Sequence, residues 1–222
     1  MKILSISTSS NIASVAITED EKTILELNIS HTKTHSETLI PLVQELFNKT
    51  NLNLSQIDLI ACDVGPGSFT GIRIGISSVK AMAETLNIPI TSVSSLEGLA
   101  YNVDTTNYDT ICTLIDARND QVYAGIFDKK HNLLEKYIAD DINIVIESLK
   151  KYKNIVYVGD GALVHQKLLN IKKFEYENEI HAKNIAKCGY NKFKNNTIKN
   201  ADTITPLYLR KSQAERMKKQ NG

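Results

Sequence analysis

The chain has 222 residues, enough for one large domain or two small ones, and a hydrophobic fraction of 42% that supports a buried core. No apolar run approaches the roughly 18 residues that a membrane-spanning helix needs, and the N-terminal MKILSIS does not resemble a secretory signal. The formal net charge is only +1, and the three cysteines lack CxxC spacing, which indicates reduced buried thiols in a cytoplasmic protein.

The first half is predicted to begin with three strands and to continue with alternating helices and strands. KILSIS and ASVAITED flank the polar turn TSSN, and TILELNIS follows as a third strand. From Thr34, apolar residues recur at helical spacing, with Pro41 inside the pattern, where a kink is plausible. The remaining predicted elements are the strand IDLIACDV, the helix GIRIGISSVKAMAETL, the strand IPITSV, the short helix SSLEGLAY and a polar linker at 102–109.

The second half repeats this order. TLIDARNDQVYAGIFDKKHNLLE matches LSISTSSNIASVAITEDEKTILE as strand, turn, strand, turn, strand, with Asp116 opposite Ser7. IVYVGDGALVHQKLL then repeats the strand, glycine turn and helix of the first half. We therefore predict a duplicated α/β unit, whose second copy is poorer in helix and ends in a sparse region at 171–200.

The glycine-rich loop GPGSFTGIRIG is the first candidate for a binding site. It lacks the lysine of a P-loop, and Thr70 stands where the dinucleotide-binding pattern needs its last glycine. Ser68 and Thr70 are N-cap candidates, and free backbone N–H groups at that helix end could attract an anion. Alternatively, Gly65, Gly67 and Gly71 serve only a tight turn and close packing of the helix on a strand.

The turn after the first strand contains Ser7, Thr8 and Ser9 but no carboxylate. Folds that hold a nucleotide between duplicated halves usually place an acidic residue there to manage a metal ion, whose charge serine cannot balance. We therefore expect no cofactor and no ATP hydrolysis by this chain alone.

Other catalytic patterns are weak. His31 and His35 have helical i, i+4 spacing, but no third ligand lies nearby, so two exposed histidines are the simpler interpretation. His131, His165 and His181 are isolated in the sequence, and Asp116, Arg118 and Asp120 are typical of a charged hairpin tip. We expect no catalytic residue and no metal site.

Several segments together resemble one known family. ILSISTSSNIASVAI, HSETLIPLVQELF and the stretch from GPGSFTGIRIG to SSLEGLA are similar to the TsaB family, which supplies an accessory subunit for making threonylcarbamoyladenosine in tRNA. Weaker similarity continues through IDARNDQVYAGIF, YVGDGA and PLYLRKSQAE. The resemblance implies a duplicated actin-like, Hsp70-like (ribonuclease H-like) α/β fold. Its two halves, each with a mixed sheet and helices, would be residues 1–101 and a smaller half, 102–222, with a basic tail.

The resemblance also implies kinship with the catalytic subunit TsaD, whose motif H-x-E-G-H binds the active-site metal. The corresponding stretch here is SLEGL, in which Ser95 and Leu99 replace the two histidines, so no metal would be ligated there. The family commonly has an aspartate where this chain has Ser7. These departures predict a non-catalytic paralogue rather than an enzyme.

Such a subunit would bind the TsaD-type paralogue, meet a TsaE-type ATPase through the complex, and contact tRNA indirectly. The complex would transfer threonylcarbamoyl to the adenosine at position 37, next to the anticodon, of tRNAs that read codons beginning with A. The basic residues from Lys183 onward could face tRNA or could form a solvated lysine-rich end.

The resemblance places the partner contact on two helices, at about 34–49 and 70–86. The apolar residues of the second helix cover too wide an arc for one core face, so a partner or neighbouring helices of the same domain must bury the rest. The same face could serve a homodimer. The expected interface residues are Leu39, Val43, Arg73, Ile76 and Lys80.

Three other functions remain open at this stage. An actin-like ATP-dependent small-molecule kinase would have to act without a carboxylate in the first turn. A metallopeptidase would need the metal ligands that Ser95 and Leu99 replace. A tRNA-binding module would depend on the basic tail.

Overall fold

Two mixed β-sheets form the framework of the protein, for which we use a computed structural model that describes residues 1–30 and 34–210. The first sheet has the strand order β3-β2-β1-β4-β5. β1 pairs antiparallel with β2 and parallel with β4, so β1 and β4 end at the same edge of the sheet. The strands are β1 (Lys2–Ser7), β2 (Ile12–Glu19), β3 (Lys22–Ser30), β4 (Leu59–Asp63) and β5 (Ile90–Val93).

Among the described residues of the first half there are three α-helices, and local signals fix the ends of the two longer ones. The backbone N–H of Thr34 donates to the Glu37 carboxylate (3.1 Å) in a capping box before the first helix, and Asn51 ends it in the left-handed conformation. Ser68 caps the second helix by accepting the Gly71 N–H, and Asn87 ends it in the same way as Asn51. The helices are α1 (His35–Thr50, with Pro41 inside), α2 (Phe69–Leu86) and α3 (Ser95–Ala100).

The second sheet confirms the predicted internal repeat. Its order, β8-β7-β6-β9, reproduces β3-β2-β1-β4. In both sheets one pair is parallel, β1 with β4 in the first and β6 with β9 in the second. The elements of this half are β6 (Thr110–Asp116), β7 (Gln121–Asp128), β8 (Ile138–Asp141), α4 (Ile142–Leu149), β9 (Ile155–Val158), α5 (Asp160–Val164) and α6 (Ala182–Lys194).

Three details of the second half differ from the sequence prediction. The region 171–200, expected to be sparse, contains the 13-residue helix α6, which packs on β1, β2, β4 and β5 of the first sheet. The third strand begins at Ile138 rather than in HNLLE, where Leu133 makes only an isolated bridge to Phe127. Helix α4 was not predicted. The division of the chain into residues 1–101 and 102–222 stays a prediction.

The first sheet is covered by helices on both faces. Because side chains alternate along its strands, neighbouring residues of one strand belong to different clusters. Leu4 and Ile6 of β1 belong to a hydrophobic cluster with residues of α1 and α2. Ile3 belongs to a second cluster, with residues of α3 and α6. This double coverage explains why β1 and β4 are continuously buried after Lys2.

The three cysteines are free and buried, as predicted. Desolvation by burial raises the pKa of Cys62 and of Cys112, the latter to about 12, which keeps both thiols protonated and unreactive. Among residues 1–30 and 34–210, no helix combines the length and apolar character that crossing a membrane requires.

Candidate functional site

The first-hairpin turn and the glycine-rich loop lie against each other at the common edge of β1 and β4. The Ser68 backbone N–H donates to the Ser9 carbonyl (2.7 Å), and the Thr8 hydroxyl donates to the Gly71 carbonyl (2.7 Å). A Cβ at Gly67 would lie 2.2 Å from the Ser9 carbonyl oxygen, and one at Gly71 would lie 2.0 Å from that of Thr8. These two glycines are therefore needed for backbone contact between the loop and the turn, which favours the packing interpretation.

Asp63, the last residue of β4, is the centre of a buried polar cluster that we did not predict from the sequence. Its Oδ2 accepts hydrogen bonds from the hydroxyls of Ser7 (2.6 Å) and Ser9 (2.5 Å). Its Oδ1 accepts from the Ser95 hydroxyl (2.6 Å) and the Gly65 backbone N–H (2.9 Å). The first turn lacks a carboxylate of its own, as its sequence shows, but the neighbouring strand supplies one.

The four donors occupy the acceptor positions of the Asp63 carboxylate. Burial raises the pKa of Asp63 above its usual value, and the hydrogen bonds from the three serines and Gly65 oppose that rise. Asp63 thus joins the first turn, the glycine-rich loop and α3 in one satisfied network. The sequence signal that could have found it is an aspartate at the end of a buried strand directly before the glycine-rich loop.

Ser95 and Leu99, which the sequence analysis expected to replace two metal-binding histidines, make other contacts in the structure. The Ser95 hydroxyl lies 3.0 Å from that of Ser9 in addition to its bond with Asp63, while Leu99 is buried in the second hydrophobic cluster. In the part of the chain that the structure describes, no three His, Cys, Asp or Glu side chains are grouped so that they could hold a metal ion.

A cleft of about 560 Å³ opens between the two halves. Ser10 and Asn11 contribute from the first half, and Asp116, Arg118 and Asp160 contribute from the second. The turn at 118–120 has three consecutive non-glycine residues in the left-handed region, with φ of 63°, 53° and 57°. The charged hairpin tip predicted from the sequence thus borders the cleft, and Thr70 is exposed at the start of α2.

The predicted partner-interface residues fall into two groups. Leu39, Val43 and Ile76 are buried in the core between α1, α2 and the first sheet, so their side chains cannot present a partner surface, because the chain's own helices and strands cover them. Arg73 is exposed, and Lys80 is half-buried. Whether these helices form an interface stays a prediction.

Both helices nevertheless expose apolar side chains. Ile40 of α1 and Leu86 of α2 are 45% and 42% exposed, and Ile74 and Met82 are half-buried. The three α2 residues lie along one helix face, eight and then four positions apart, because side chains at multiples of four positions share a face over this length. Ile74 and Met82 also pack against the first hydrophobic cluster. We name Ile40, Ile74, Met82 and Leu86 the exposed apolar row.

The expectation that His31 and His35 are two exposed histidines is wrong for His35. His35 is buried, with Nε2 2.9 Å from the Ser10 carbonyl oxygen, and His31 lies outside the described residues. His181 is not isolated in the structure. Its Nδ1 lies 3.5 Å from Oε2 of Glu26, and its Nε2 lies 2.9 Å from Oε2 of Glu177.

Part of the basic C-terminal region is engaged within the chain. Lys183 pairs with Glu26, and Lys192 pairs with Glu97 at 2.7 Å. These contacts favour a structural role for the basic residues on α6. Lys211, Arg216, Lys218 and Lys219 lie outside the described residues.

Comparison with known proteins gives a consistent result. A family model described as "TsaD: tRNA N6-adenosine threonylcarbamoyltransferase" matches residues 29–218. The "tRNA threonylcarbamoyladenosine biosynthesis protein TsaB" of Bacillus subtilis is 35% identical over 175 residues, which cover 76% of this chain and 75% of the relative. The protein of the same name from Buchnera aphidicola (subsp. Acyrthosiphon pisum) is 31% identical over 182 residues, covering 77% and 80%.

A solved structure agrees with this at the level of the fold. The Pseudomonas aeruginosa protein described as uncharacterized, "with similarity to peptidase YEAZ", superposes with a TM-score of 0.79 at 24% identity, covering 94% of this chain and 99% of that one. The duplicated actin-like α/β architecture is thus shared across nearly the whole chain.

Proposed function

This chain belongs to the TsaB family, and on that premise we propose that it is a non-catalytic accessory subunit that binds a TsaD-type catalytic paralogue. Its curated relatives are named as proteins of tRNA threonylcarbamoyladenosine biosynthesis, and this membership is the observation that carries the proposal. In the proposed complex, the paralogue transfers threonylcarbamoyl to adenosine 37 of tRNAs that read codons beginning with A. The TsaE-type ATPase and the tRNA are reached through that complex.

The contacts of Asp63 support a non-catalytic role for this chain. A carboxylate that serves as a metal ligand or a general base needs a free lone pair toward the substrate or the ion. Both oxygens of Asp63 already accept two hydrogen bonds each from the chain itself, and the side chain is buried. The cluster therefore acts as an internal support for the start of α2.

The exposed apolar row supports a partner surface on α1 and α2. Apolar side chains that line up on one surface of a folded chain often mark an interaction site. The paralogue is the proposed occupant because the two subunits share a duplicated fold, so equivalent helices can pack in pairs. A homodimer through the same row is the competing outcome.

Reconstitution tests the accessory role. Threonylcarbamoylation of tRNA is measured with the paralogue, the ATPase and the adenylate-forming enzyme, with and without this chain. We expect modification to depend on the chain. Undiminished modification without it would refute the proposal.

Substitutions in the row test the partner surface. Leu86→Glu and Ile74→Glu are expected to weaken co-elution with the paralogue, because a charge would then be buried at the contact. Leu168→Glu is the matched control, since Leu168 is 56% exposed in the second half of the chain. Equal co-elution of all three variants would argue against this face. If the substitutions changed only the mass in solution of this chain measured without the paralogue, the row would be the contact of a homodimer.

The cleft favours one second candidate, an actin-like kinase. Its polar lining from both halves offers space for a small molecule, and calorimetric titration with ATP and Mg²⁺ discriminates the two functions. Binding followed by turnover of ATP by the isolated chain would favour the kinase.

A further inference from the structure

Arg73, on the second turn of α2, is held in place by two aromatic rings. The rings of Phe69 and Tyr208 stack with centroids 4.4 Å apart and planes 5° from parallel. The guanidinium carbon of Arg73 lies 5.4 Å from the centroid of Phe69 and 5.8 Å from that of Tyr208. Its Nε donates a hydrogen bond to the Tyr208 hydroxyl (2.8 Å). The side chain is therefore fixed by cation–π contacts and one hydrogen bond.

The C-terminal segment that carries Tyr208 is itself anchored. Ile204 is buried in the first hydrophobic cluster, and the Leu207 N–H donates to the Val64 carbonyl (2.8 Å). Beyond the tyrosine, Nε of Arg210 donates to the Ala139 carbonyl (3.1 Å) in the second half. Contacts before and after Tyr208 in the sequence thus hold the segment that places its ring beside Arg73.

Among the residues that the structure describes, the outer edge of the Arg73 guanidinium contacts no hydrogen-bond or ion-pair partner. Among residues 1–30 and 34–210, its only hydrogen bond is the one from Nε, and no carboxylate lies within ion-pair distance. The side chain is exposed, and Tyr208 beside it is 41% exposed. Within residues 1–30 and 34–210, the two Nη groups donate to no acceptor, and a planar guanidinium edge matches the two oxygens of a carboxylate.

The surroundings favour a protein carboxylate over a phosphate of RNA. Helices α1 and α2 carry three acidic residues (Glu37, Glu45, Glu84) and three basic ones (Lys49, Arg73, Lys80), so the two helices together have no net positive charge. Nucleic-acid surfaces rely on an excess of cations. The exposed apolar row lies on the same helices, and a buried arginine anchor beside apolar contacts is typical of protein interfaces.

We propose that Arg73, held by Phe69 and Tyr208, is a prearranged binding point for an aspartate or glutamate of the catalytic paralogue. This inference rests on the proposed function and adds the chemistry of the contact. Because the guanidinium is fixed before binding, little side-chain entropy is lost when the carboxylate docks. It also assigns a role to the C-terminal PLYLR segment, whose tyrosine positions the arginine.

The affinity of the purified chain for the purified paralogue tests the proposal. We expect Arg73→Ala to raise the dissociation constant at least tenfold and Arg73→Lys to raise it nearly as much, because lysine lacks the two-pronged edge. Tyr208→Phe, which keeps the stacked ring but removes the hydroxyl, should raise it about threefold. Lys153→Ala removes one exposed positive charge in the second half and is the matched control, with no change expected. Thermal melting checks that each variant is folded.

A charge exchange identifies the carboxylate. With Arg73→Asp in this chain, replacing the paralogue's surface acids with arginine one at a time should restore binding at one position. Unchanged affinity of Arg73→Ala would overturn the inference while leaving the accessory role intact. Wild-type affinity of Arg73→Lys would overturn the two-pronged contact. If Arg73→Ala weakened only the binding of tRNA to the complex, the ligand would be a phosphate and the inference would be wrong. Absence of any wild-type complex would refute the proposed function and this inference with it.

Discussion

Substitution of Glu26 by glutamine should reduce stability in a way that depends on pH. Glu26 lies on β3 and attaches the start of α6 to the first sheet. Its Oε1 accepts the Lys183 backbone N–H (2.9 Å), and its Oε2 lies 3.5 Å from Nδ1 of His181 and 3.5 Å from Nζ of Lys183. Glutamine can keep the backbone hydrogen bond but removes the negative charge, so the substitution isolates the ionic part of the contact.

The size of the effect follows from the pKa of Glu26. Burial opposes ionisation, but the interactions with His181 and Lys183 outweigh it and lower this pKa from 4.5 to about 2. At 1.36 kcal/mol for each pKa unit, the ionised form is favoured by at most about 3.4 kcal/mol. Partial contact with solvent reduces this to roughly 1–2 kcal/mol. For a chain of this length, we expect a melting temperature lower by about 3–6 °C.

The pH dependence has two limbs. The folded-state pKa of Glu26 is depressed, so its contribution is complete above pH 4.5 and is lost as the pH falls toward 2. The interaction with Glu26 raises the pKa of His181 above 6.5 despite burial, so that contribution is present below 6.5 and is lost as the pH rises through the raised value. The contact therefore stabilises most between about pH 4.5 and 6.5.

Urea unfolding of both proteins from pH 3 to pH 9 measures this difference. The difference in the free energy of unfolding between wild type and Glu26→Gln should be largest between pH 4.5 and 6.5 and should become smaller at lower and at higher pH. Glu84→Gln is the control, because Glu84 is exposed on α2. A gap that stays constant over this range would refute the ionic explanation and leave only a packing effect.

Three further predictions concern the start of α2 and its two faces. Asp63→Ala removes the shared acceptor of four buried donors and should lower the free energy of unfolding by on the order of 5 kcal/mol. A loss below about 1 kcal/mol in urea unfolding would contradict the network. Ile76→Glu places a charge at a side chain that is 4% exposed and should prevent folding. Leu86→Glu should keep the wild-type circular dichroism spectrum. A folded Ile76→Glu would show that the core is described wrongly. Gly71→Ala should cost about 1–3 kcal/mol because its methyl group meets the Thr8 carbonyl, with the exposed Ser77→Ala as the control; equal melting temperatures would exclude that contact.

Local sequence patterns were sufficient for most of the first half. Period-2 alternation predicted β1 and β2, and helical spacing predicted α1 and α2, because these signals depend only on neighbours along the chain. Helix α6 was missed because its pattern is short of large apolar residues. Small residues such as Ala182, Ala186 and Gly189 let it lie close to the sheet, and a Cβ at Gly189 would lie 2.7 Å from Ala61.

The sequence by itself determined the order of the elements in the first half, the duplication of the α/β unit and the family, since each depends on local periodicity or on a contiguous signature such as GPGSFTGIRIG. Only the tertiary structure decided which groups meet. Asp63 contacts Ser7, Ser9 and Ser95 because β1 and β4 are parallel neighbours and α3 begins beside their ends, a relation between residues 32 to 56 positions apart. It also decided that Ile76 is buried while Leu86 is exposed, because the sheet and α1 cover only one side of α2.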